Sequence, residues 1–73
     1  MPKAEINNQI RRLRFEAGEM TQQQLADRVG CTRQTIILLE QGRYVPSLVL
    51  AMRIARVFDM PVEAVFQLQE ETE

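Results

Sequence analysis

"TQQQLADRVGCTRQTIILLEQG", Thr21–Gly42, carries two helix-start signals and two glycine stops in twenty-two residues. Thr21 and Gln24 have the capping-box spacing, in which the hydroxyl accepts from a backbone N–H and the carboxamide reaches back. Met20 before that cap and Leu25 four residues after it suit a hydrophobic staple. Leu25, Ala26 and Val29 make the inner face of a short helix, and Gly30 ends it. The pattern then repeats. Thr32 is the next N-cap, Cys31 is placed to staple to Ile36, and Gly42 closes the second helix. Cys31 reads as a small buried apolar group, not a nucleophile.

Only "GCT" separates the two helices, so they are expected to cross steeply. Two capped helices joined by about three residues that include glycine form a helix-turn-helix. Upstream, Ile6, Ile10, Leu13 and Ala17 fall on a helical stripe that Gly18 stops. Downstream, "RYVPS" is a loop, because Pro46 disfavours helix at Val45. Ser47 caps a fourth helix whose inner stripe is Leu48, Ala51, Ile54, Ala55 and Phe58. Asp59 and Pro61 break the chain, and Val62, Val65 and Phe66 suit a short fifth helix. Nothing alternates with period two, so no strand is predicted. The expectation is an all-α, compact five-helix domain spanning residues 1–73. Its core covers about 6–67, with frayed ends at 1–5 and 68–73.

Composition narrows the function. Seventy-three residues make one domain, near the lower limit for a self-sufficient core. Such a chain needs tight packing or a partner, since one cysteine cannot form an intrachain disulfide. With no histidine, one thiol cannot build a zinc site, and no metal or other cofactor is expected. There is no Gly-rich phosphate loop and no paired-carboxylate constellation, so no enzyme is expected. No apolar run approaches the ~20 residues of a membrane span, and the N-terminus lacks a signal-peptide core. A soluble cytoplasmic protein is expected. The net charge of −1 argues mildly against a nucleic-acid partner, but its distribution is uneven. Residues 1–45 carry seven basic and five acidic side chains, and residues 46–73 carry two and five. That asymmetry permits a basic face on a near-neutral protein, or simply an acidic tail.

The run Ile36, Ile37, Leu38, Leu39 poses a further question, since a helix buries one stripe. At about 100° per residue, Ile36 and Leu39 share the inner face with Thr32. Ile37 and Leu38 fall outside it, with Arg33 and Gln34. Arg and Gln suit bidentate contacts with guanine and adenine edges, and an apolar side chain suits the thymine methyl. The alternatives for Ile37 and Leu38 are cover by a second subunit or the C-terminal tail, or idle exposure.

The stretch "TQQQLADRVGCTRQTIILLEQGRYVPSL" resembles the phage-repressor-like (XRE-type) helix-turn-helix family. The matching positions are Thr21, Gln22, Leu25, Ala26, Gly30, Thr32, Ile36, Glu40 and Gly42. "PSLVLAMRIARVFDMPVEAVF" is similar to the family's fourth and fifth helices, so the likeness covers roughly residues 6–67. The resemblance implies a lambda-repressor-like DNA-binding domain whose third helix enters the major groove. It implies an operator of double-stranded DNA, dimeric binding and transcriptional regulation, here expected as repression. Carried over by position, Arg33, Gln34, Ile37 and Leu38 are the base-reading candidates. Gln22, Thr32, Gln41 and Arg43 match phosphate-contacting positions. Tyr44 adds a hydroxyl there or packs against helix four. The resemblance also implies a structural ion pair between Arg14 and Glu40.

The chain departs from its relatives in places. "AGEMTQ" is one residue longer than many, placing Glu19 in the bend. Phe15 lies opposite the inner stripe, where relatives usually carry a polar residue, and Val49 is also outward. Phe15 and the acidic "QLQEETE" tail therefore suggest a second reading, a protein-interaction module or antitoxin-like partner binder. The bland reading of Phe15 is a lone exposed aromatic.

Overall fold

Five short helices follow one another and a small sheet joins the two ends of the chain. The computed structural model describes residues 4–70. The elements are β1 (Ala4–Asn8), α1 (Ile10–Glu16), α2 (Gln22–Val29), α3 (Arg33–Glu40), α4 (Leu48–Val57), α5 (Val62–Val65) and β2 (Phe66–Glu70). Helices α2, α3 and α4 each start on a side-chain cap. Thr21 accepts from the Gln24 amide while the Gln24 side chain accepts from the Thr21 amide, a complete capping box. Thr32 accepts from the Thr35 amide and Ser47 from the Leu50 amide. Each bond satisfies one of the N–H groups that a helix start leaves without a partner.

The stops are equally local. Gly30 ends α2 at φ 79°, and Gly42 follows α3 at φ 71°, a left-handed region that glycine enters freely. After α3 the Arg43 amide bonds the Leu38 carbonyl and the Gly42 amide bonds the Leu39 carbonyl, a Schellman closure. Glu19 sits in the bend before α2 at φ 57°.

The core lies where all five helices meet. Ile10, Leu13, Leu25, Ala26, Val29, Ile36, Leu39, Ile54, Ala55 and Val65 are buried, with Met20 from the bend and Ala51 of α4. Cys31, Leu50, Val57, Phe58, Val62 and Phe66 pack half-buried around it. The Arg14–Glu40 ion pair is largely buried, but no polar or charged residue is fully so among the described residues. Nor is any helix among them long and apolar enough to cross a membrane.

The sheet corrects the expectation of no strand. β1 and β2 pair antiparallel, with Ala4 opposite Glu70, Ile6 opposite Leu68 and Asn8 opposite Phe66. Residues 4–5 and 68–70, expected as frayed ends of the chain, fall within these strands; 1–3 and 71–73 lie outside the described residues. The partners stand about sixty positions apart, so no short-range pattern marks them. Ile6 belongs to this sheet and not to α1, and Phe66 starts β2 instead of extending α5. Ala17 is an exposed C-cap, not part of the inner stripe. Leu48 is also outward, 71% exposed at the first helical position of α4. The Thr32 cap tests the local logic. Thr32→Ala should cost about 1 kcal/mol. In a domain this small that lowers Tm by roughly 4–8 °C, read by thermal denaturation.

Candidate nucleic-acid interface

Helix α3 opens on a capped first turn whose next two side chains point to solvent. Thr32 and Thr35 hydroxyls lie 3.0 Å apart, and Thr32 holds the Thr35 amide. Arg33 and Gln34 follow, both exposed. Ile36 and Leu39 on the opposite side are fully buried, which fixes the rotation of the helix about its axis. Ile37 and Leu38 are half-buried, so the outward pair of the sequence reading is only partly open to a ligand.

The other end of α3 is tied into the body of the domain. The Arg14 guanidinium donates from Nε to Glu40 Oε2 at 2.6 Å and from Nη2 to Glu40 Oε1 at 3.0 Å. Its Nη1 donates to the Met20 carbonyl at 2.7 Å. The two side chains are 14% and 9% exposed, so this bidentate pair is largely withdrawn from water. Charge-assisted forks of this kind are among the stronger protein hydrogen bonds. Gln22 Nε2 joins them, donating to Glu40 Oε1 at 3.2 Å. Its second N–H has no partner among the described residues. One carboxylate thus gathers α1, α2 and α3.

Around this network lies an open groove of about 870 Å³ lined by Arg11, Arg14, Thr21, Gln22, Gln23, Arg33, Ile37, Glu40 and Gln41. It brings together four of the expected DNA-contact residues, Gln22, Arg33, Ile37 and Gln41, with the Arg14–Glu40 pair. Gln34, Leu38, Thr32, Arg43 and Tyr44 do not line it. Arg43 is exposed just past α3, and Tyr44 beside it is 45% exposed. Arg11 and Gln23 are additions that the sequence reading missed. Arg11 stands three residues before Arg14 on α1, a spacing that puts both on one helix face. That spacing was the available signal. Neither Arg11, Arg33 nor Arg43 has an ion-pair partner among the described residues, whereas Arg14 is neutralised by Glu40. The groove therefore offers free positive charge at its rim and a compensated pair at its floor.

A near-neutral chain with free cations beside a capped, outward-facing helix start matches the geometry of a groove-reading motif. A helix-turn-helix family model matches residues 10–65. This chain belongs to the phage-repressor-like (XRE-type) helix-turn-helix family. It is 46% identical over 66 residues to the uncharacterized HTH-type transcriptional regulator YgzD of Bacillus subtilis, covering 90% of this chain and 98% of that protein. It is 57% identical over 63 residues to an HTH-type transcriptional regulator of Methanothermobacter thermautotrophicus, covering 85% and 90%. A similar regulator of Archaeoglobus fulgidus is 47% identical over 66 residues, covering 90% and 93%.

In this helix-turn-helix protein the turn between α2 and α3 contains Cys31. Burial pushes its thiol above the usual range, so the uncharged form is favoured and the residue serves as packing. The Arg14–Glu40 pair is the part of the motif that stability measurements reach directly. Glu40→Gln leaves a largely buried guanidinium without its counter-charge and should cost about 3 kcal/mol in urea unfolding. A loss under ~1 kcal/mol is what a solvent-screened pair gives and would refute the structural role.

Proposed function

We propose that the protein is a sequence-specific DNA-binding transcriptional regulator, acting as a repressor and binding as a homodimer. The observation that carries this reading is the pose of α3. Its buried side is locked by Ile36 and Leu39, which leaves Arg33 and Gln34 facing solvent without ion-pair or side-chain partners among the described residues. Their chemistry suits purine edges in the major groove. The half-buried Ile37 and Leu38 suit thymine methyls at the edge of the contact. Gln22, Thr32, Gln41, Arg43 and Tyr44 hold phosphates in this reading, and Arg11 adds a cation from α1. Free N–H groups at the starts of α2 and α3 favour the same anions. Phosphate contacts set register, and base contacts set sequence.

One such module offers few base contacts, so a dimer reading half-sites about 34 Å apart is the form this function needs. The outer side of α4 is the face that suits a second copy. Leu48, Val49 and Met52 are more than half exposed there, and Met60 continues the apolar surface toward α5. Arg56 and Asp59 line the same hollow with Met52 and Met60, so a two-fold axis can bring opposite charges together. Met52→Asp should shift the protein to monomer in sedimentation equilibrium; an unchanged mass removes this face from consideration.

A second reading, a protein-interaction module of antitoxin type, is favoured by Phe15. It is 68% exposed on α1, away from the core. Selection of bound sites from random duplexes separates the two readings. A regulator enriches a paired half-site motif, and a pure interaction module enriches none. Arg33→Ala should then relax one base position by about 1–3 kcal/mol of discrimination. Arg43→Ala should weaken all sequences alike. With about four phosphates neutralised per dimer, log K should fall against log salt with a slope of ~−3.6.

A further inference from the structure

The reading helix is held at its far end by a residue outside both helices of the motif. Asn8 closes strand β1 and is half-buried. Its Nδ2 donates to the Leu39 carbonyl at 2.7 Å, and its Oδ1 accepts from the Ile10 amide at 3.2 Å. A backbone carbonyl only accepts and a backbone amide only donates, so one carboxamide orientation satisfies both. A single side chain thus joins the last turn of α3 to the first turn of α1. Its own backbone is fastened in turn. Asn8 pairs with Phe66 in the sheet, and the neighbouring Gln9 amide donates to the Val65 carbonyl at 2.9 Å.

Among the described residues, the side chains hydrogen-bonded to α3 from other elements are Asn8, Arg14 and Gln22. Arg14 and Gln22 both end on the Glu40 carboxylate. Asn8 is the independent tie, and it grips backbone. Arg33 stands six residues from Leu39, about 9 Å along the axis at ~1.5 Å per residue. A tilt of about 10° at the held end therefore moves the reading end by about 1.5 Å, more than a bidentate base contact tolerates.

We propose that Asn8 is a positioning residue for DNA reading: it fixes the tilt of α3 against α1 and the terminal sheet, so that Arg33 and Gln34 meet base edges in one register. This rests on the DNA-binding reading above. Without the tie, α3 spends part of its time in other tilts, and apparent affinity for the specific site falls by the competent fraction. Binding to random duplex, carried by phosphate contacts, has no such requirement.

Two variants test it. Asn8→Ala removes both bonds. Asn8→Asp keeps the acceptor for the Ile10 amide, and with it the start of α1, but its carboxylate cannot donate to Leu39. The Asp variant keeps the test valid even if the Ala variant unfolds. The measurements are Kd for the duplex selected by the native protein, Kd for random duplex in the same buffer, and amide exchange of the free protein. Asn8→Asp should lower the specific-to-random affinity ratio about three- to tenfold, the scale of one hydrogen bond. The ratio removes the uniform effect of the added charge. Exchange at Gln41, Gly42 and Arg43, which close the last turn of α3, should speed up relative to α2 amides. A native ratio and native exchange in Asn8→Asp overturn the proposal, even where Asn8→Ala is impaired, because the Ile10 cap then accounts for the loss. A native protein that selects no sequence overturns the regulator reading and the positioning role with it. Selection by the native protein with an unchanged variant ratio overturns the positioning role alone.

Discussion

The carboxylate of Glu40 is the point on which the geometry of the domain turns. It receives two bonds from the Arg14 guanidinium and one from the Gln22 carboxamide, while Arg14 also reaches the Met20 carbonyl. Helices α1, α2 and α3 and the bend between the first two are thereby fixed against one another by four hydrogen bonds. Apolar packing alone is poorly suited to this task. It is strong but non-directional, and a small core admits several near-equal packings. A fork largely withdrawn from water disfavours packings that separate the pair, because those leave a charge without its partner. The pair also silences a negative charge that would otherwise sit on the floor of a groove suited to an anion.

That arrangement shows how a chain of net charge −1 can present a surface for a polyanion. The charge that matters is local. Arg11, Arg33 and Arg43 have no ion-pair partner among the described residues, while Arg12 is paired with Glu16 on α1 at 3.3 Å and Arg14 is paired with Glu40. Much of the acidic excess lies in residues 46–73. A count over the whole chain averages these regions and hides both.

The sheet has a similar economy. Five residues in each of β1 and β2 form a two-stranded ribbon that would be marginal alone. Here the helical core brings its ends together, and the ribbon in turn holds Asn8 and Gln9 at the base of α1. Asn7 bonds Gln69 and Gln9 Nε2 bonds Gln67 Oε1 at 3.1 Å across the strands. Side chains that read as nondescript polar residues in the sequence thus close the domain at its termini.

The sequence by itself determined what local chemistry controls. Thr21, Thr32 and Ser47 announced their helices, Gly30 and Gly42 their stops, and the spacing of Ile36 and Leu39 set which side of α3 is buried. Those features are legible because a cap bond or a helical stripe spans only a few residues. The family's spaced pattern pointed to Arg14 and Glu40. Tertiary structure alone decided the rest. The β1–β2 pairing joins residues about sixty apart and leaves no periodic trace. Leu48, apolar at a stripe position, is exposed at the first helical position of α4. Arg11 entered the groove through the packing of α1, and Asn8 reached the last turn of α3 from the end of strand β1. The physical reason is range: capping and helical periodicity act within a turn or two, whereas the contacts that aim α3 are made between segments that meet only after the chain has folded.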